Sequence, residues 1–196
     1  MGSFAGNASF DFDLVDGDTL LNGPFQMQQS ELDQLLTKGD KFFFCRGQFF
    51  KGQAVGSWSF RFGDFKAEGA TNLESYQYQV EVIGDLHTAE GNMIAGKPHG
   101  NWEHRVDHIK NGRIDNVPFK SVINFNNGVP IQNFRIDNED YSLMGRFLRD
   151  GLAHDVWSLF SNQDLTDTES WIFNEGHLKQ ILISRNGQTD TIDEYK

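Results

Sequence analysis

Three of the four tryptophans in this chain stand in one register, and that register constrains the fold more than any other feature. The segments are Gly47-Gln-Phe49-Phe-Lys-Gly52-Gln-Ala-Val-Gly56-Ser-Trp58-Ser-Phe60, Gly91-Asn-Met93-Ile-Ala-Gly96-Lys-Pro-His-Gly100-Asn-Trp102-Glu-His104, and Gly145-Arg-Phe147-Leu-Arg-Asp-Gly151-Leu-Ala-His-Asp155-Val-Trp157-Ser-Leu159. Each has a glycine, an apolar residue two positions on, a turn glycine, and Gly or Asp155 two positions before tryptophan. A degenerate copy opens the chain, with Gly17 followed by Gly23-Pro24-Phe25. Recurrence of this kind is the mark of a repeat architecture, in which each unit buries its apolar face against its neighbours. The copies are unevenly spaced, 44 residues from Trp58 to Trp102 and 55 from Trp102 to Trp157, so the array carries insertions.

The spacing predicts a β-hairpin. A strand runs into a five-residue segment bounded by two glycines, and a second strand starts at the aromatic. Glycine reaches positive φ without a Cβ penalty, as tight strand connections require. Lys97-Pro98 reads as a turn dipeptide, because Pro98 cannot donate to a ladder. Beyond Trp58 the apolar positions recur at every second residue, Phe60 and Phe62, the period of a strand with one buried face. Tyr76-x-Tyr78-x-Val80-x-Val82 alternates in the same way. Phe125-Asn-Asn-Gly128 and Phe173-Asn-Glu-Gly176 form a second recurring turn, followed by strands over 129–136 and 177–183, and Lys110-Asn111-Gly112 supplies another.

One helix interrupts the pattern. Ser30-Glu-Leu-Asp-Gln-Leu-Leu-Thr-Lys38-Gly39 has a Ser N-cap, an acid three residues on, leucines at 32, 35 and 36, and a closing glycine. Two turns of helix here would cover one end or edge of the sheet. The tail from Asn186 to Lys196 is polar and reads as loosely ordered. The expected fold is thus all-β: stacked antiparallel hairpins forming an elongated twisted sheet, with one short helix over 30–38, in a single repeat domain spanning 1–196.

Charge narrows the partners. Seventeen Lys and Arg stand against 28 Asp and Glu, a net charge of −11. Nucleic acid and anionic lipid are held mainly by Lys and Arg on phosphate, so this balance argues against both. A basic protein partner is permitted, although acidic surfaces also serve solubility alone. Residues 1–10 have neither the basic start nor the apolar stretch of a signal peptide. If Met1-Gly2-Ser3 replaces an export signal, the cell envelope or another extracytoplasmic site is favoured.

The candidate chemical groups are few. Cys45, the single cysteine, alternates in step with Phe43 and reads as a small buried apolar residue rather than a nucleophile. His87, His99, His104 and His108 crowd into 22 residues with Glu103 and Asp107 among them. On a helix the i, i+4 pair His104/His108 would suit a metal. On a strand those two lie about 13 Å apart at ~3.3 Å per residue, too far for one ion to bridge. His104 also occupies the position of Phe60 and Leu159, so a packed or semi-exposed histidine leads there, and His99 and His154 hold equivalent turn places before Gly100 and Asp155. No Gly-x-Ser-x-Gly elbow and no Gly-Lys-Ser/Thr loop is present. The pairs Asp11/Asp13 and Glu139/Asp140 are conceivable glycosidase carboxylates, with nothing to place them on facing strands. Phe50, Phe65, Tyr76 and Tyr78 are candidates for an exposed face. The alternative is that most of the 18 Phe build a thin core on both faces.

At Gly91-x-x-x-x-Gly96-Lys97-Pro98-His99-Gly100-Asn101-Trp102 the chain resembles the MORN repeat, in the divergent bacterial form known from antitoxin-like and cell-envelope proteins. Gly52-x-x-x-Gly56-x-Trp58 fits the same pattern, and the copy at Gly151 departs from it at Asp155. The likeness covers residues 40–183 discontinuously. It implies glycine-punctuated hairpins stacked into a sheet and a scaffold or interaction role, with no shared catalytic residues to carry over. The resulting expectation is a non-enzymatic scaffold that presents a sheet surface to a protein partner, with no catalytic, metal or cofactor residues assigned. A carbohydrate-active or metal-dependent enzyme and a self-associating structural subunit stay open as alternatives.

Overall fold

The computed structural model describes residues 6–29, 40–72, 74, 77–164 and 166–194. Thirteen strands follow one another in chain order. They are β1 (Asn7–Val15), β2 (Asp18–Gln29), β3 (Asp40–Phe50), β4 (Gln53–Asn72), β5 (Gln77–Ile94), β6 (Lys97–Lys110) and β7 (Arg113–Asn126). Then come β8 (Val129–Asn138), β9 (Tyr141–Phe147), β10 (Ala153–Ser161), β11 (Thr168–Asn174), β12 (His177–Arg185) and β13 (Gln188–Glu194). All lie in one sheet whose spatial order is the chain order, so β1 and β13 are its edges and the sheet is not closed. The all-β, hairpin-built expectation holds. The helix expected over 30–38 lies outside the described residues. The tail expected to be loose is strand β13 as far as Glu194, paired with β12 from Arg185↔Gln188 onward.

Along this strand order the chain forms two compact units: Met1–Gly96 with Arg105–Val117 (unit 1), and Lys97–His104 with Pro118–Lys196 (unit 2).

Seven of the connections are two-residue turns in which both residues have positive φ: Asp16-Gly17, Lys51-Gly52, Ala95-Gly96, Asn111-Gly112, Asn127-Gly128, Glu175-Gly176 and Asn186-Gly187. This is the type I′ geometry, whose twist matches that of the flanking strands. The hairpin at Lys51-Gly52 corrects one sequence expectation. The five residues 52–56 are not the loop, because β4 begins at Gln53 and the strand runs through Gly56. Likewise Lys97-Pro98 is not a turn; it opens β6 directly after Ala95-Gly96.

The second glycine of the signature instead marks a bulge. Gly56, Gly100, Gln132 and Asp155 have φ of 67°, 71°, 64° and 58°, each four residues beyond Gly52, Gly96, Gly128 and Gly151. Where register is defined, it slips at this point, between Arg46 and Gln48, Val122 and Asn124, and His154 and Ser158. A bulge adds unpaired residues to one strand and bends it. Gln132 thereby exposes a further copy of the signature, Gly128-x-x-x-Gln132-x-Phe134, with phenylalanine in the tryptophan position.

Two aromatic clusters lie beside these bulges, and they repeat the same plan. In unit 1, Trp58 is 6% exposed and meets Phe49 edge to face at 5.3 Å, with Phe25 at 5.9 Å and Phe60 at 5.8 Å. In unit 2, Trp157 meets Phe147 edge to face at 5.2 Å and Phe134 at 4.7 Å, with Phe173 at 5.0 Å. Such pairs contribute about 0.5–1.5 kcal/mol beyond the area they bury. The first glycine of the signature makes room for the ring. Trp58 lies across from Gly91, and a Cβ on Gly47 would run into its indole. A Cβ on Gly145 would lie 2.6 Å from both Trp157 and Phe134. Gly47 and Gly145 are therefore mid-strand seats for aromatic rings.

Neighbouring hairpins are stitched at their tips. The N–H groups of Gly52, Gly96, Gly128 and Gly176 donate to the carbonyls of Leu21, Ala54, Pro98 and Ala153, the first three in strands that follow another such turn and the last in the strand after the 148–152 loop. The Glu175 N–H also donates to His154 Nδ1 at 3.3 Å, and the Lys51 N–H to Asn22 Oδ1 at 3.3 Å. His154 thus does structural work, as its place in the signature suggested.

Candidate binding surface

Strand alternation sorts the side chains onto two faces in each unit. In unit 1 the tryptophan face carries Cys45, Trp58, Phe60 and Phe62, by the pairings Cys45↔Phe60 and Phe43↔Phe62. Cys45 is 3% exposed, and burial pushes its thiol pKa up, against a reactive role. The opposite face holds a polar patch: Ser59 Oγ donates to Glu90 at 2.8 Å, Arg61 pairs with Glu90 at 3.6 Å, and Ser57 Oγ donates to Asn92 at 3.0 Å. Phe65 stacks on Phe42 on that face, 5.8 Å apart and nearly parallel, over Gly63. The rings are therefore unevenly shared, most on the tryptophan face with one island opposite.

The histidines do not converge. His108 Nδ1 lies 2.8 Å from Asp85 Oδ1 in unit 1, His87 packs on Phe62, and His104 packs on Phe119 in unit 2. The strand assignment of β6 holds from Lys97 to Lys110, and the alternation that it imposes sends Glu103 and Asp107 to the face opposite His104 and His108. Asp107, 2% exposed, receives Arg105 Nη2 at 2.8 Å instead. Among the described residues no three His, Cys, Asp or Glu side chains are grouped to hold a metal ion. Asp11 and Asp13 stand on β1, where Asp13 accepts from Asn22 Nδ2 at 2.7 Å. Glu139 and Asp140 form the bend between β8 and β9, held by Asn162, whose side-chain amide donates to the carbonyls of Asn138 and Glu139. The two acidic pairs occupy separate places. Of the exposed aromatic candidates, Phe50 is 56% and Tyr78 68% exposed, Phe65 is in the stack just described, and Tyr76 lies outside the described residues.

One concavity has no counterpart among the sequence expectations. On the face of unit 2 opposite Trp157, Asn124 Nδ2 donates to Asn101 Oδ1 at 2.7 Å, and Asn133 sits across from Arg146. These four side chains lead into an open groove of 1170 Å³, closed at the hairpin end by Asn126, Gln132 and the 148–150 segment. Asparagines are common enough in loops that their one-sided row here is invisible until the β6–β9 pairing is known. A smaller hollow of 390 Å³ flanks the corresponding bulge of unit 1, lined by Arg46, Ser57, Ser59, Glu90 and Asn92.

The chain matches no family model and no curated protein.

The groove is amide-rich, and each amide offers two donors and an acceptor with no net charge. At its rim Arg146 Nη1 pairs with Asp155 Oδ2 at 3.1 Å, and the lining also carries Arg149 and Asp150. Farther down the same face Lys120 pairs with Glu103 at 3.2 Å, and Arg135 with Asp137 at 2.8 Å. The Arg135 hydrogen bond, more than that of Ser142, holds the Asp137 carboxyl below the usual carboxylate range. Such half-exposed pairs fix side-chain positions more than they stabilise the fold. Gln132 adds a further observation: a non-glycine residue holds left-handed φ at the groove wall, where two other bulges use glycine. Backbone strain of this kind costs about 1 kcal/mol or more and concentrates at functional positions.

Proposed function

We propose that this protein is a non-enzymatic scaffold of MORN-like hairpins that binds another protein through the amide-lined face of unit 2. The observation that carries this reading is the groove itself, which is open and walled by the amides of Asn101, Asn124, Asn133 and strained Gln132, with Arg146, Arg149 and Asp150 at one side. Side-chain amides complement the alternating N–H and C=O groups of an extended peptide segment, and their fixed row gives such a segment a register. The hairpin stacking and the absence of a second layer among the described strands agree with the scaffold role that the MORN resemblance implies.

The test begins by isolating a partner on the immobilised chain and purifying it. Its affinity is then measured for the native protein and for variants with Asn124→Ala, Asn133→Ala and Gln132→Gly. Loss of about tenfold or more in affinity, about 1.4 kcal/mol, with an unchanged far-UV spectrum is expected. Unchanged affinity in all three variants overturns the proposal.

A further inference from the structure

The aromatic row of unit 1 does not stop where its burial stops. Trp58 is 6% exposed beside Phe25 and Phe49, and Phe25 pairs across the strands with Phe10 on β1. There the cover ends: Phe10 is 43%, Phe12 49% and Leu14 71% exposed, and every residue of Asn7–Val15 is exposed. Phe10 and Phe12 rings touch at 6.2 Å, so these alternate residues form one apolar strip. Because β1 is an edge of the sheet, its outer N–H and C=O groups are also unpaired by any strand among the described residues.

The intervening residues carry charge of one sign. Asp11 and Asp13 lie on the other face of β1, and Asp16 and Asp18 follow at the turn. Natural edges are often protected by charge, usually lysine. Here the charge is acidic and leaves the apolar strip uncovered. A second copy of this chain is a poor occupant. Two β1 strands would set Asp against Asp, and the other edge, β13, contributes Asp190. Like charges facing each other across a strand pair are destabilising.

We propose that the β1 edge receives an added strand from a protein partner, an extended segment in which apolar residues alternate with Lys or Arg. Its apolar side chains continue the row beyond Phe10 and Phe12, its cations face Asp11 and Asp13, and its backbone pairs with the open edge. This surface is separate from the amide groove, so either site can fail without the other.

Two synthetic peptides test it on the full chain: one alternating Val with Lys, the other alternating Val with Glu. Binding is read by fluorescence anisotropy. The Lys peptide binds and the Glu peptide does not. Phe12→Glu raises the Kd of the Lys peptide about tenfold or more. Replacing Asp11 and Asp13 together by Lys reverses the preference between the peptides. N-methylation of alternate backbone nitrogens abolishes binding on the edge where those nitrogens must donate, which adsorption by charge alone would not show. The proposal is overturned if the Lys peptide fails to bind, or if Phe12→Glu and the charge reversal leave its Kd unchanged. It is also overturned if sedimentation shows a concentration-dependent dimer that Phe12→Glu dissolves, since the edge then serves a second copy.

Discussion

Replacing Gly47 by alanine tests whether the signature glycine exists to seat an indole. The added Cβ would stand 2.6 Å from Trp58 Cε3 and closer still to Cδ2 and Cε2, where ordinary contact begins near 3.4 Å. To restore ordinary contact the ring would have to retreat by roughly 1.2 Å, and little allows it. Phe25, Phe49 and Phe60 box it in, and its Nε1–H donates to the Val55 carbonyl at 3.2 Å. Overpacking of a confined site costs about 1–3 kcal/mol. Without a ring opposite, the same substitution would gain about 0.5–1 kcal/mol, because alanine loses less chain entropy than glycine in a strand. The sign therefore depends on Trp58. Gly47→Ala is expected to destabilise the native protein by roughly 2 kcal/mol, near the middle of the overpacking range. In a Trp58→Ala background it should be neutral or stabilising. Urea unfolding followed by far-UV circular dichroism gives all four corners of the cycle. A neutral Gly47→Ala, or an equal effect in both backgrounds, would refute the seating argument. Gly96→Ala is the control: nothing lies within 4 Å of its added Cβ, yet its φ of 77° makes alanine costly whether or not Trp58 is present.

Double-mutant cycles on Phe49/Trp58 and on Phe147/Trp157 should each return a coupling of about 0.5–1.5 kcal/mol, and the absence of coupling in both would break the equivalence of the two clusters. Gln132→Gly should stabilise unit 2 by up to about 1 kcal/mol by relieving left-handed strain, while Gly56→Gln should destabilise unit 1; thermal unfolding of both variants checks the pair. Asp137 has a depressed pKa in the folded state, so its contribution is complete above the ordinary carboxylate range and is lost as pH falls through the folded-state value. Asp137→Asn should accordingly flatten the acid limb of a stability–pH profile, and an unaltered limb would count against the Arg135 pairing. Cys45 should react with a thiol reagent only as fast as the sheet opens, so reaction at the rate of a free thiol in native buffer would contradict its burial.

Much of the fold was legible because β-structure writes itself locally. Alternation at Trp58, Phe60 and Phe62 and the Asn-Gly pairs at 111–112 and 127–128 are short-range signals, and each led to a strand or a turn where expected. Lys51-Gly52 and Ala95-Gly96 were harder to read, since lysine and alanine have no special liking for the left-handed conformation they adopt there. Gly56 was mistaken for a loop boundary because a bulge and a turn both call for positive φ. The candidate groove was not legible at all. Asn101, Asn124 and Asn133 are scattered through the chain and become neighbours only through the pairing of β6 to β9.

The repeated glycines and tryptophan by themselves pointed to antiparallel hairpins with aromatic residues in the core. They could not say which glycine did what. A sequence records only that a Cβ is missing, and three different causes leave the same mark. Gly52 turns the chain, Gly56 bends a strand, and Gly47 yields space to Trp58. Tertiary structure alone separated these, because the last cause depends on a ring carried by another strand. It likewise decided that, among the described residues, the aromatic row ends at the exposed Phe10 and Phe12, since an edge is defined by the strand that is not beside it.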